Sequence, residues 1–170
     1  MKYPNRREKK PFQIREIGNE DKPWLIELMK EEWASTRIVT IGKIHRTENL
    51  PGFIAIYKKR RVGLIIYNIA NEECEIISLN SLKENIGIGT NLLYFLESVA
   101  ISRSCKRIWL ITTNDNIKAL RFYQKRGYNI KAIYINSIAH SRKLKPEIPL
   151  RGLHNIEIRD EIELEKILEY

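Results

Sequence analysis

The sequence is poor in the residues that build metal and disulfide sites. It holds two cysteines, Cys74 and Cys105, and three histidines, His45, His140 and His154, among 170 residues. No CxxC or CxxH spacing occurs, and zinc needs clustered ligands, so no metal is expected. Both cysteines lie in apolar, strand-like sequence and read as reduced residues in or near a core, which fits a cytoplasmic protein. Also lacking is any run of ~20 apolar residues, the length a membrane-spanning helix needs. The start, MKYPNRREKKPF, is basic without an apolar signal core, so export is not indicated. Internal repeats and low-complexity tracts are missing as well. What remains is an ordinary globular composition, 43% hydrophobic and 30% charged. A chain of this length suits one core that buries roughly two-thirds of its unfolded surface.

The formal charge is +9. A polyanionic small ligand would favour that excess, and so would nucleic acid. A composition rich in Ile, Lys and Glu produces it with no partner at all. Cations cluster only in the first ten residues and at Lys58–Arg61, which reads as a solvated hairpin tip. The expected organisation is a flexible basic leader over 1–11 and a single domain over 12–170.

Alternating residues predict a first strand over Phe12–Ile17. Asn19, Glu20 and Asp21 supply a helix start, with Pro23 tolerated in the first turn. Leu25, Leu28, Met29 and Trp33 then recur at helical spacing. Residues 35–50 are broken by Gly42, Thr47 and Asn49 and read as a loop or short helix. Phe53–Tyr57 and Val62–Ile69 form a hairpin signal around Lys58–Arg61, and Cys74–Leu79 is a third strand. A strongly periodic helix follows through Leu92, Leu93, Leu96, Val99 and Ala100. Arg107–Thr112 is a buried-looking strand, then a helix runs from Asn114–Asn116 to Lys125, and Tyr128–Ile135 is a strand. Ser137–Lys145 looks helical until Pro146, and a final strand lies within Ile156–Ile167. Three consecutive strands favour antiparallel hairpins, whereas the strand–helix–strand unit from Cys74 to Thr112 requires a parallel crossover. The fold class is therefore α/β with a mixed sheet and helices on its faces.

The stretch Glu84-Asn85-Ile86-Gly87-Ile88-Gly89-Thr90 joins a strand to the long helix. Free N–H groups and the dipole at a helix N-terminus favour an anion, and glycine lets the main chain approach a phosphate. Alone, such a turn equally suits a plain tight connection. It is neither a P-loop, because GxxxxGK[ST] is absent, nor the three-glycine dinucleotide fingerprint. After the next strand comes Asn116-x-x-Ala119-x-x-Phe122-Tyr123-x-Lys125-x-Gly127-Tyr128. Together the two segments resemble the GNAT superfamily of N-acetyltransferases, with its Q/R-x-x-G-x-G/A turn and its later N-x-x-A-x-x-F-Y-x-K-x-G-F segment. The likeness is specific from about Glu73 to Tyr128 and covers nearly the whole chain in element order. Glu84 departs from the family's Gln or Arg, and Asn85 from a frequent Gly. The tail SRKLKPEIP with IRDEIELE is similar to that of an uncharacterised bacterial and archaeal subgroup.

The resemblance implies a sheet of about seven strands. It also implies transfer of an acetyl group from acetyl-CoA to a primary amine of a small molecule, peptide or protein, by direct attack in a ternary complex. Main-chain groups near Leu79 and Ser81 would pair with the acetyl–pantetheine arm. Those of Asn85, Ile86, Gly87, Ile88, Gly89 and Thr90 would hold the pyrophosphate. Asn116 would bond the pantetheine or simply cap its helix. Tyr123 would protonate the departing thiolate, unless it is only a packed aromatic. Glu75, and after it Glu73, is the candidate general base; both share a strand face and either could merely meet solvent. Trp33, Arg37 and His45 fall in the variable substrate region, where each also has an ordinary packing or surface explanation. Neither nucleic acid nor a membrane is the expected partner, and family analogy suggests a homodimer. The competing expectation is a non-catalytic GNAT-fold module that binds CoA, protein or nucleic acid.

Overall fold

A computed structural model of the chain describes residues 12–83 and 85–169. The expected leader over 1–11 and Glu84 lie outside the described residues. The strands are β1 (Gln13–Glu16), β2 (Arg37–Thr40), β3 (Lys43–Arg46), β4 (Gly52–Tyr57), β5 (Arg60–Ala70), β6 (Glu73–Ser81), β7 (Arg107–Thr113), β8 (Asn129–Tyr134) and β9 (Glu161–Ile167). The α-helices are α1 (Lys22–Trp33), α2 (Ile88–Ser102), α3 (Ile117–Gln124) and α4 (Ile138–Leu144).

Seven strands form one sheet in the order β1-β4-β5-β6-β7-β9-β8. Among the described residues β6 and β7 run parallel, and the other pairings of this sheet are antiparallel. The central strand β5 reads RRVGLIIYNIA and is buried without a break from Val62 to Tyr67. Such an unbroken apolar run belongs to a strand covered on both faces. On one face, β5, β6 and β7 send Ile65, Cys74, Ile76, Ile108 and Leu110 against Ile88, Leu92, Leu93 and Leu96 of α2. On the other, Ile54, Leu64, Ile66 and Ile77 meet Leu25, Leu28 and Met29 of α1, with Ile38 of β2. Each such side chain taken from water contributes ~1.5–3 kcal/mol. The two covered faces are what hold β6 and β7 at fixed height.

Two regions differ from expectation. Residues 35–50 are not a loop or short helix; they form the β2–β3 hairpin, with register Ile38↔His45 and Thr40↔Lys43, followed by a 3-10 turn over Thr47–Asn49. Its two-residue turn places Ile41 at φ 47° and Gly42 at φ 73°, the left-handed pair of a hairpin turn. A β-branched residue is costly there, and the Ile41 N–H is held by Glu161 Oε1 at 2.9 Å. The basic tip is not simply solvated either. Arg61 Nε reaches Asp21 Oδ1 at 2.7 Å, and Arg15 bonds the same carboxylate at 2.6 and 3.0 Å. Asp21 is fully buried at the start of α1, and Arg15 beside it holds its carboxyl well below the usual carboxylate range. Trp33 closes α1 in an exposed position, with Ala34 turning the chain at φ 59°.

Candidate active site

The parallel pairing of β6 with β7 lasts only from Glu73↔Arg107 to Ile76↔Leu110. Beyond it β6 continues to Ser81, and β7 turns to β9 for its partners through Thr113. The divergence begins at a bulge: Tyr67 opposes Ile76 while Ile66 opposes Ser78, so Ile77 is an extra residue in β6. A bulge bends its strand and re-aims the residues beyond it. The main chain of Ile77–Ser81 thus faces a gap where β7 would otherwise pair with it, and a ligand amide could add there like a strand.

The same gap is bordered by the N-terminus of α2. Asn85 and Gly87 both take left-handed backbone, at φ 62° and 78°, so the turn doubles back before Ile88. Asn91 N and Nδ2 both donate to Gly87 O, at 3.0 and 2.8 Å. No side chain caps the helix, which leaves the N–H groups of its first turn with the orphan donors and partial positive charge of any such end. Arg126 adds a full charge there: its Nε and Nη2 donate to Thr90 Oγ1 at 3.2 and 2.5 Å, and its guanidinium lies 3.7 Å from the Phe122 ring centre. A β-carbon built on Gly89 would come 3.5 Å from that ring, so α3 packs directly on this end of α2.

On α3, Asn116 is the N-cap, its Oδ1 accepting from Ala119 N at 3.1 Å. Tyr123 is buried and meets Phe122 and Tyr128 edge-on, with centroids 5.1 and 5.4 Å away. Burial pushes its phenol above the ordinary tyrosine range, against a pull from Arg126. It is therefore a protonated donor at neutral pH.

The opposite face of β6 carries a polar group under the β2–β3 hairpin. Glu75 is 3% exposed, His45 5% and Thr40 8%. Thr40 Oγ1 lies 3.1 Å from Glu75 Oε1 and 2.9 Å from His45 Nε2, and that nitrogen is 3.4 Å from the same carboxylate oxygen. Lys43 Nζ stands 3.9 Å from Glu75 Oε2. Glu73, two residues earlier, is instead held by Arg107, whose Nη2 and Nε lie 2.9 Å from its two oxygens. Arg107 also binds Glu163 and Glu165 of β9 at 2.8 Å each. Lys145, buried beyond α4, donates to the carbonyls of Trp33 at 2.6 Å and Arg37 at 2.7 Å, which ties the end of α1 to β2. Burial lowers the pKa of its ammonium.

The sequence and the fold of the chain both have counterparts among known proteins. The sequence profile described as the acetyltransferase (GNAT) family matches residues 12–128. The chain belongs to that family. Two relatives from Bacillus subtilis are similar along most of their length. One, the uncharacterised protein YdhI, is 43% identical over 87% of this chain and 93% of its own. The other, YxbD, also uncharacterised, is 45% identical over 82% of this chain and 89% of its own. Among solved structures, the IAA acetyltransferase of Bacillus cereus superposes with TM-score 0.71 at 21% identity, covering 92% of this chain and 99% of that one. A GNAT acetyltransferase from Elizabethkingia anophelis, with acetyl-CoA bound, gives TM-score 0.67 at 22% identity, covering 94% and 100%.

Within this GNAT chain the residues expected to act together divide into two groups. Leu79 and Ser81 lie on β6, Asn85–Thr90 in the turn and first residues of α2, and Asn116 and Tyr123 at the cap and within α3, which packs on that end of α2. Glu75 and His45 meet under the hairpin, although they stand 30 positions apart in the chain. Arg37 is half-buried on β2 with Glu147 3.5 Å away, and Trp33 offers solvent its ring and Lys145 its carbonyl. Sequence reasoning missed Thr40, Lys43, Lys145 and Arg126. Arg126 alone had a local signal, because it falls inside the Asn116–Tyr128 segment. Among the described residues no group of His, Cys, Asp or Glu could hold a metal, and no helix is long and apolar enough to cross a membrane.

Proposed function

We propose that this chain moves the acetyl group of acetyl-CoA to a primary amine within a ternary complex, and that residues 12–170 form the single domain that does so. The observation that carries this reading is the gap after Ile76↔Leu110, opening beside the uncapped N-terminus of α2. Strand edge and helix end offer amide donors at two places along one elongated ligand. Acetyl-CoA has an amide-bearing arm and a pyrophosphate in that order. The Elizabethkingia relative binds acetyl-CoA, and a similar Bacillus subtilis acetyltransferase is in complex with CoA.

In this reading the amides of about Asn85 to Thr90 hold the pyrophosphate, with Arg126 supplying a cation beside Thr90. Main-chain groups of Leu79 and Ser81 align the acetyl–pantetheine arm, and Asn116 borders it while capping α3. The acceptor ammonium gives one proton to a base in the Thr40–His45–Glu75 group; Arg107 keeps Glu73 occupied. The amine then forms the C–N bond as the C–S bond breaks. The thiolate takes the Tyr123 phenolic proton, and the proton left on the amide nitrogen passes through solvent to restore the phenol. The products are one amide, one thiol and one released proton.

Trp33 and Arg37, joined by Lys145, border the acceptor side. The protein would work in the cytoplasm, where its two free buried cysteines stay reduced, and pair as a homodimer through edge strand β8, whose Ile130 and Ile133 are exposed. The test is thiol release from acetyl-CoA with a panel of primary amines: an alanine-started peptide, a polyamine and an aminoglycoside. Release with at least one amine is expected. CoA binding without release, or steeply salt-dependent nucleic-acid binding instead, would favour the non-catalytic module.

A further inference from the structure

We propose that His45 Nδ1 is the atom that takes the proton from the acceptor ammonium, with Thr40 and Glu75 acting through His45 as positioning residues. The proposal rests on the acetyl-transfer reading above and assigns the base within it. The β2–β3 register sets Ile38 opposite His45 and Thr40 opposite Lys43, so these four side chains share one hairpin face. Ile38 buries that face in the core containing Ile77 of β6, and this lays Thr40 and His45 over Glu75.

The hydrogen bonds then fix where the protons sit. An ionised carboxylate only accepts, so the Thr40 hydroxyl donates to Glu75 Oε1. Its lone pair is left to accept, and the partner at 2.9 Å is His45 Nε2. That nitrogen must carry the hydrogen, whether it points at Thr40 or at the carboxylate 3.4 Å away. In a neutral imidazole the lone pair is then on Nδ1. Among the described residues Nδ1 has no hydrogen-bond partner, and it is not one of the two enclosed unpartnered side-chain atoms, Glu48 Oε2 and Ser137 Oγ. Nδ1 thus keeps an unpartnered lone pair on a side chain that is 3% exposed. A base whose far nitrogen is held by a carboxylate is fixed in one tautomer and one orientation.

Lys43 lies 3.9 Å from Glu75 Oε2 on an exposed stem. From β9, Glu161 is engaged by the Ile41 N–H at 2.9 Å and Ser141 at 3.4 Å. Glu73 is engaged by Arg107, and His140 of α4 meets the hairpin at Gly42.

Three variants and one spectrum test the assignment. In His45→Gln the side-chain amide still donates to Thr40, but the basic lone pair is gone. Turnover of the best amine in the panel should fall about 100-fold, with acetyl-CoA affinity and melting temperature retained and the acid limb of kcat/KM abolished. Thr40→Val should lower kcat about tenfold, and Thr40→Ser should restore it. Imidazole 15N shifts should show His45 as the Nε2–H tautomer. If His45→Gln keeps native turnover and its acid limb, or if the spectrum shows Nδ1–H, the assignment falls while acetyl transfer stands. If the native protein releases no thiol with any amine, acetyl transfer fails first and the base role goes with it.

Discussion

The two faces of β6 ask different things of the sequence. On the α2 side the site is made of main chain: a bulge, a strand gap and an uncapped helix turn, with Gly87 at φ 78° as the residue that permits it. On the hairpin side it is made of side chains brought from Thr40, His45 and Glu75 into one enclosed group. Backbone sites tolerate change in neighbouring side chains, so Glu84 and Asn85 can depart from the family pattern without removing the amides. Side-chain sites do not. The first face should therefore govern cofactor affinity, and the second should govern turnover alone.

Tyr123 offers the largest way to break this division, since the proposed mechanism gives this α3 residue a part in turnover alone. Tyr123→Phe keeps the ring contacts with Phe122 and Tyr128 and should lower kcat about 100-fold while CoA affinity, read by calorimetry, stays within twofold. Next is a control remote from both faces. Asp21→Asn should cost about 2 kcal/mol in chemical denaturation, because Arg15 and Arg61 lose a buried carboxylate. The sign with pH comes from the depressed carboxyl: the native contribution is fully present above the unfolded-state value and is lost progressively as pH falls from there through the much lower folded value. Acid titration of the native protein minus the variant should show that loss beginning near the ordinary carboxylate range and completing in strong acid.

Gly87→Ala asks whether the backbone face sets affinity. It places a β-carbon at φ 78°, which costs ~1 kcal/mol or more, and should weaken CoA binding about tenfold with little change in kcat once acetyl-CoA saturates. The smallest expected effect is that of Arg126→Ala. It removes the cation at Thr90 and should raise the Kd for CoA about fivefold, more at low salt than at high salt. An equal effect on CoA and on dephosphorylated pantetheine would show that Arg126 does not read the phosphates.

The same distinction explains how much of each face was legible. The α2 turn and the Asn116 cap are local, and their residue types announce them: glycine at a left-handed position, asparagine bonding three residues ahead. The order of the seven-strand sheet was partly legible, because a strand–helix–strand unit must be parallel and the preceding runs form hairpins. The β2–β3 hairpin was hidden. Its strands have four residues each, and its turn carries Ile41 where asparagine, aspartate or glycine would advertise left-handed backbone. Glu161, 120 positions away, holds that turn. Without the hairpin, His45 had no partner and read as a lone histidine. The Cys74 and Cys105 reading agrees with the structure: both are free and buried, and burial pushes the Cys74 thiol up to about 12.

The central claim, that the glycine-turned end of α2 and the open edge of β6 receive acetyl-CoA, is tested most directly by titrating acetyl-CoA into the 15N-labelled native protein and following its backbone amides. The account predicts saturable shifts largest at Gly87, Ile88, Gly89, Thr90 and Leu79. Shifts absent from these amides, or concentrated at the basic tip Lys58–Arg61, would contradict it.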